Sequence, residues 1–108
     1  MLAKKHRINK GVFEAIMKQS KMISSPLFTL RYMPSVDNTV HFAVVAPKSV
    51  AKTAVLRNFL RRKGYQSAKP LLKKPFIGAL FYKKEAIKLS QSEITENIAY
   101  LMKKAGLY

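Results

Sequence analysis

The sequence predicts an α+β fold, a sandwich in which helices pack on a mixed β-sheet. Two kinds of hydrophobic pattern alternate along its 108 residues. Segments with apolar residues three and four positions apart indicate helices, and shorter segments rich in Val, Phe and Ile indicate strands. Their order is helix, two strands, helix, strand, helix, which contains one strand-helix-strand crossover. A chain of this length supports one hydrophobic core, so we expect residues 1–108 to form a single domain.

The first part of the chain contains one predicted helix and two predicted strands. Asn9 is positioned to cap a short helix in which Phe13 and Met17 share one face. Residues 27–33 and residues 39–46 each show the composition of a strand. Because only a short turn separates them, we expect these two strands to pair antiparallel.

Residues 48–63 contain six basic residues and no acidic ones within a single predicted helix. Ser49 is positioned as its N-cap, and Gly64 as the left-handed residue that follows its end. A helical projection at about 100° per residue separates an apolar side from a basic side. The apolar side contains Val55, Leu56, Phe59 and Leu60. We expect this side to lie in the core and the basic side to be exposed.

The last part of the chain contains a predicted strand and a predicted helix. Residues 75–82 are almost continuously apolar, which is typical of a strand covered on both faces. Ser90 and Glu93 have the spacing of a capping box, and apolar residues then recur at helical spacing until Gly106. We expect this helix to pack on the sheet.

The charge balance indicates a polyanionic partner. Lys and Arg total 21 against 5 Asp and Glu, which gives a net charge of +16. Such an excess indicates RNA, DNA or an anionic membrane. Cysteine is absent, glycines are scattered and carboxylates are not clustered. The sequence therefore predicts no catalytic site and no metal site in the protein itself.

The basic side of the central helix and the loop before it provide candidate nucleic-acid contacts. Arginine guanidinium groups bind phosphate oxygens through two parallel hydrogen bonds, and an asparagine amide offers a donor and an acceptor to a ribose or base edge. The candidates are Lys48, Lys52, Arg57, Asn58, Arg61, Arg62 and Lys63. Aromatic residues such as Phe13 and Tyr32 either fill the core or line a groove in which unpaired bases stack.

No apolar run approaches the length of a membrane span, and the basic N-terminus lacks the apolar core of a signal peptide. We therefore expect a cytoplasmic location and no membrane partner. Surface binding to an anionic membrane requires exposed apolar residues beside the cations. Val55 and Phe59 are instead expected in the core.

The segment A-P-K-S-V-A-K-T-A-V-L-R-N-F-L-R-R resembles the signature of the bacterial ribonuclease P protein subunit, in which a K-K stretch leads into a helix containing R-N-R. The resemblance covers nearly the whole chain, from the lead K-x-x-R-I to L-S-x-x-E-I near the end. It implies a two-layer αβββαβα sandwich with a left-handed crossover through the arginine-rich helix, an exception to the usual right-handed rule. That is one strand more than the residue patterns indicate.

The resemblance also implies a function. In this family a large RNA with bound Mg²⁺ cuts the 5′ leader from precursor tRNA, and the protein assists it. Ribonuclease P RNA and precursor tRNA are thus the implied partners, and Mg²⁺ is an implied cofactor of the RNA. The positions that match the RNA-contacting motif are Lys48, Arg57, Asn58, Arg61 and Arg62. A cleft for the single-stranded leader is implied at Phe13, Met17 and Tyr32.

Two positions depart from the family signature, because Ser49 replaces its second lysine and Phe59 replaces the third residue of R-N-R. The residue patterns leave other functions open. A ribosomal-type protein could hold a folded RNA without any role in processing. A protein-only nuclease is disfavoured because carboxylates for metal binding are not clustered.

Overall fold

The computed structural model describes residues 10–35 and 38–107. Within these ranges the elements are α1 (Lys10–Gln19), β1 (Lys21–Ser24), β2 (Phe28–Met33), β3 (His41–Val45), α2 (Ala54–Ala68), β4 (Ile77–Tyr82) and α3 (Gln91–Ala105). Short 3₁₀ turns follow α2 and β4. The predicted α+β class is confirmed, and the element order is the one that the resemblance implies. The predicted cap Asn9 lies outside the described residues.

The four strands form one mixed sheet in the order β1-β2-β4-β3. β4 pairs antiparallel with β2 and parallel with β3. The predicted antiparallel pairing of residues 27–33 with residues 39–46 is therefore wrong, because β4 lies between them. β4 is buried over nearly its whole length, so a central place covers both of its faces. β3 and β4 are joined through α2, and the hand of this crossover stays an expectation from the resemblance.

β1 is the strand that the residue patterns did not indicate. Three of its four residues are exposed, and it pairs antiparallel with β2 at the edge of the sheet. An exposed edge strand buries little apolar surface and so shows little hydrophobic alternation. Its place is set mainly by backbone hydrogen bonds to β2, which the side-chain pattern does not record.

Helices lie on both faces of the sheet, so the sandwich has three layers where two were expected. Phe28, Leu30 and Tyr32 of β2 point to the face on which α2 and α3 pack, where the larger hydrophobic cluster lies. The opposite face carries α1, whose Ile16 is buried against Ile77 and other residues of β4. Because side chains alternate along a strand, Arg31 lies on the α1 face.

α2 begins and ends later than predicted. Its N-cap is Thr53, whose hydroxyl accepts a hydrogen bond from the backbone N–H of Leu56 at 3.1 Å. Ser49 instead lies in an exposed turn after Pro47, whose carbonyl accepts hydrogen bonds from two following amides. Gly64 does not end the helix, which continues for four further residues to Ala68. Ser49 and Thr53 are both suitable N-cap residues, and the helix begins after the second of them.

The buried side of α2 also differs from the prediction. Leu60 is buried as expected, but Val55 is 80% exposed and Phe59 is 50% exposed. The other buried positions are the small residues Gly64, Ser67 and Ala68. A Cβ at Gly64 would lie only 2.8 Å from Val44 Cγ1, so the glycine permits the close approach of α2 to β3. This approach turns the helix by roughly a quarter turn from the predicted orientation.

The start of α3 is as predicted. The Ser90 hydroxyl accepts a hydrogen bond from the Glu93 N–H at 3.3 Å, and the Glu93 carboxylate accepts one from the Ser90 N–H at 3.1 Å. This is a complete capping box. The helix is followed by Gly106 with φ of 77°, in the left-handed region that favours glycine.

Candidate nucleic-acid interface

The exposed surface of α2 brings three of the predicted RNA-binding residues together. Asn58, Arg61 and Arg62 are all exposed and line one open pocket of about 480 Å³. We call this the ridge pocket. Arg61 donates a hydrogen bond to the side-chain oxygen of Asn58, which orients both side chains. Two exposed guanidinium groups and an amide around one cavity suit phosphate and ribose oxygens.

Tyr65 and Val44 complete the ridge pocket. The Tyr65 hydroxyl accepts a hydrogen bond from the backbone N–H of Val44 at 3.2 Å, so it joins α2 to the edge strand β3. Its ring meets the ring of Phe42 edge-on, with centroids 6.2 Å apart. Tyr65 was not among the predicted site residues, because only the packing of α2 against β3 places it there.

Arg57 does not line the ridge pocket. Its Nη1 atom donates hydrogen bonds to the carbonyls of Ala51 at 3.0 Å and Lys52 at 3.2 Å. The side chain therefore ties the loop before α2 to the first turn of the helix. Lys48 and Lys52 are exposed on that loop. Arg57 thus holds in place a loop that presents two further cations.

Lys63 lies on the other flank of α2. Its ammonium group donates a hydrogen bond to the Leu89 carbonyl at 2.8 Å and lies 5.5 Å from the centroid of the Phe59 ring. The predicted RNA-binding residues therefore fall into three groups. Asn58, Arg61 and Arg62 share a pocket, Lys48 and Lys52 lie on the loop, and Arg57 and Lys63 make hydrogen bonds to the backbone on either flank.

The residues predicted for the leader cleft do not share one surface. Phe13 of α1 is half-buried against Phe81, with ring centroids 6.2 Å apart, and Met17 is 43% exposed on the same helix. Tyr32 lies on the opposite face of the sheet, where it lines a small pocket with Lys21 and other residues. The expectation that Tyr32 shares one cleft with Phe13 and Met17 is therefore wrong. The next residue back, Arg31, takes that place, as the alternation from Phe28 could have shown.

The described residues also bear on metal binding and on membrane insertion. No group of three or more His, Asp or Glu side chains within residues 10–35 and 38–107 is placed to hold a metal ion. Over the same ranges, no helix is both long enough and apolar enough to cross a bilayer.

Comparisons with known proteins identify the fold. A structure of the ribonuclease P protein of Staphylococcus aureus is 17% identical, covers 95% of this chain and 97% of its own, and superposes with a TM-score of 0.83. The ribonuclease P protein of Thermotoga maritima is 18% identical, with coverages of 85% and 89% and a TM-score of 0.73. No curated protein sequence matches significantly.

The family assignment comes from the sequence. A family model described as ribonuclease P matches residues 2–106, which is nearly the whole chain. Both solved structures superpose on the present one, with its mixed four-stranded sheet, so the fold is shared. The chain therefore belongs to the bacterial ribonuclease P protein family, whose role is in tRNA processing.

Proposed function

We propose that this chain is the RNA-binding protein subunit of a ribonuclease P, which assists a catalytic RNA in removing the 5′ leader of precursor tRNA. The observation that carries the proposal is the ridge pocket, where Asn58, Arg61 and Arg62 converge without a carboxylate among the lining residues. In a chain of net charge +16, such a surface is suited to the phosphate backbone of a folded RNA. Family membership supports ribonuclease P RNA as that RNA.

The contacts on α2 divide by chemistry. Arg61 and Arg62 bind phosphates of the ribonuclease P RNA, and Asn58 contacts a ribose or a base edge. Lys48 and Lys52 extend the cationic surface along the loop that Arg57 holds. Arg57 acts mainly by positioning this loop, since its Nη1 atom is already bonded to two backbone carbonyls.

The precursor tRNA leader binds on the α1 face of the sheet. There the half-buried ring of Phe13 and the exposed side chain of Met17 offer apolar surface on which unpaired bases can stack. Arg31 on β2 lies on the same face and supplies a positive charge for the leader backbone. Tyr32 has no part in this groove, because it lies on the other face.

Mg²⁺ acts with the RNA subunit, and the chemistry of leader removal belongs to the RNA. The contribution of this chain is electrostatic. By neutralising phosphates that would otherwise repel one another, Arg61, Arg62 and the loop lysines lower the Mg²⁺ concentration that the assembled enzyme needs.

The test is reconstitution with the cognate ribonuclease P RNA and a precursor tRNA at low Mg²⁺. We expect the protein to accelerate leader cleavage, and Arg61→Gln and Arg62→Gln each to weaken binding to the RNA. Each should also reduce the slope of log affinity against log salt by about one, because one phosphate contact is lost. Lys104→Gln, a single charge removed from the last turn of α3, is the matched control.

Two results would contradict the proposal. One is a cleavage rate at low Mg²⁺ that the protein does not raise. The other is co-purification of the chain with ribosomal RNA in place of a separate structured RNA, which would favour the ribosomal-type alternative.

A further inference from the structure

α2 borders a second pocket, on the flank opposite the ridge pocket. Its volume is about 210 Å³, and it lies where α2 meets the start of α3. The lining residues are Phe59, Arg62, Lys63, Gln66 and Gln91. We call this the Phe59 pocket. Arg62 lines both pockets, so its guanidinium group lies between them.

Phe59 is an exposed aromatic ring in a cationic setting. Half of its surface is accessible, although a buried phenylalanine would contribute far more to stability. The Lys63 ammonium group lies 5.5 Å from the ring centroid, and its hydrogen bond to the Leu89 carbonyl keeps it there. A flat apolar face beside fixed positive charge is the combination that proteins use to bind single-stranded nucleic acid.

The rest of the Phe59 pocket wall is polar and partly fixed.

 Gln91 donates hydrogen bonds from its side-chain amide to the Ser67 hydroxyl and to the Lys63 carbonyl, the latter at 3.2 Å, and so ties α3 to α2. Gln66 is exposed one turn beyond Arg62, and its amide offers both a donor and an acceptor. The pocket thus combines a ring, two cations and an exposed amide around one cavity.

We propose that the Phe59 pocket binds an unpaired nucleotide of the partner RNA, with its base stacked on Phe59 and its phosphate bound by Arg62 and Lys63. The Gln66 amide reads the edge of the base. This inference rests on the proposed function, because it assumes that the partner of α2 is RNA. An apolar segment of a protein would gain from Phe59 but would not neutralise the two cations, whereas a nucleotide satisfies both.

The position of Arg62 connects the two pockets. A backbone that crosses α2 from the ridge pocket passes Arg62 before it reaches Phe59. One guanidinium group can therefore hold the phosphate between a nucleotide in the ridge pocket and the stacked nucleotide. The stacking adds affinity that does not depend on salt, since no additional counterions are released by an apolar contact.

The direct test uses tryptophan fluorescence, because the chain contains no tryptophan. Phe59→Trp places one indole in the pocket. Tyr100→Trp places one on α3, where the native ring is 57% exposed with the Lys104 ammonium group 5.8 Å from its centroid. When each full-length variant is titrated with cognate ribonuclease P RNA, we expect strong quenching for Phe59→Trp and little change for Tyr100→Trp.

The second measurement is RNA affinity. Phe59→Leu keeps an apolar side chain but removes the flat ring, so we expect about tenfold weaker binding to ribonuclease P RNA with an unchanged salt slope. Phe59→Trp should bind as tightly as the wild type. Tyr100→Leu, the matched loss of an exposed ring, should leave the affinity unchanged. Circular dichroism melting of each variant shows whether the fold is intact.

The outcomes separate this inference from the function on which it rests. If the wild-type chain does not bind ribonuclease P RNA, the proposed function fails. If it binds, but Phe59→Leu binds equally well or the indole of Phe59→Trp is not quenched, only the stacking site is overturned. Equal losses for Phe59→Leu and Tyr100→Leu would also overturn it. So would an indole at position 59 that responds to phosphatidylglycerol vesicles and not to RNA.

Discussion

The two faces of the sheet are built differently. On the face covered by α2 and α3, large side chains such as Phe28, Leu80 and Leu101 are fully buried. On the face covered by α1, Ile16 is buried against β4, but Phe13 and Phe81 at its margin are only half-buried. The first face therefore supplies most of the stability. The second retains accessible aromatic surface, which a ligand can use.

A buried polar group on the face covered by α2 and α3 is hydrogen-bonded within the protein. The Tyr82 hydroxyl donates a hydrogen bond to the Leu60 carbonyl at 2.8 Å, from the central strand to α2. Burial raises the pKa of the Tyr82 hydroxyl above its ordinary value, which favours the protonated form that donates this hydrogen bond. This bond fixes α2 to the central strand. The outer side of α2 carries the two pockets.

The largest expected effect is the loss of stability from a cavity on the face covered by α2 and α3. Phe28 is fully buried and its ring packs edge-on against Tyr82, with centroids 5.1 Å apart. We expect Phe28→Ala to lower the free energy of unfolding by about 4 kcal/mol and Ile16→Ala, on the α1 face, by about 2 kcal/mol. Urea denaturation measures both. A larger loss for Ile16→Ala would reverse the comparison between the faces.

A smaller effect is expected where α2 approaches β3. Alanine is the better helix former, but a Cβ at Gly64 would lie 2.8 Å from Val44 Cγ1 and 3.3 Å from the Tyr82 hydroxyl. We expect Gly64→Ala to destabilise the protein by about 1 to 2 kcal/mol, because overpacking exceeds the gain in helix propensity.

The control is a double-mutant cycle with Val44→Ala. Removing the Val44 methyl groups makes room for the new Cβ, so the double variant should lose less stability than the sum of the two single losses. Simple additivity would show that the contact between Gly64 and Val44 does not set the position of α2.

The α1 face is tested through leader binding. We expect Phe13→Ala to reduce the preference for a precursor tRNA with a leader over mature tRNA by about tenfold, which corresponds to about 1.4 kcal/mol. Stability should fall by less than for Phe28→Ala, because the ring is only half-buried. Fluorescence titration of the assembled enzyme with both RNAs gives the ratio.

Tyr32→Ala is the matched control for Phe13→Ala. Tyr32 lies on the face away from α1, so its removal should leave the leader preference unchanged. An effect of Tyr32→Ala equal to that of Phe13→Ala would refute the assignment of the leader to the α1 face.

The smallest expected effect is on the stability of the protein at acid pH, through Glu93 at the start of α3. Hydrogen bonds from the backbone and side chain of Ser90 hold the pKa of Glu93 below its ordinary value near 4.5. A lowered pKa in the folded state stabilises the fold above that ordinary value, and the stabilisation is lost as the pH falls through the folded-state pKa. Glu93→Gln keeps the capping box without the charge. The difference in unfolding free energy between the wild type and Glu93→Gln should therefore become smaller as the pH is lowered from about 6 to about 3.

What could be predicted from the sequence depended on how local the determining contacts are. The capping box of Ser90 and Glu93 needs only four consecutive residues, and it was predicted correctly. For α2 there were two suitable caps, Ser49 and Thr53. The helix is capped by Thr53, and the loop before it is held by hydrogen bonds from Arg57, which form only once the loop has folded back.

Contacts between distant segments account for the errors. β4 lies between β2 and β3 and so pairs with two strands that are distant from it in sequence. Hydrophobic periodicity does not record such long-range pairing. The rotation of α2 depends on Gly64 meeting Val44, a contact between a helix and a strand. In the site, the basic residues were predicted from composition and spacing. Tyr65 was missed because only tertiary structure brings it beside Val44.

The bond between Tyr65 and Val44 has a consequence for solubility. β3 is an edge strand with the sequence H-F-A-V-V, which has a strong tendency to add a strand from another molecule. The tyrosine hydroxyl already occupies the amide of Val44, so an incoming strand would first have to displace it. One aromatic side chain thus disfavours the addition of a strand at the border of the surface that is proposed to receive RNA.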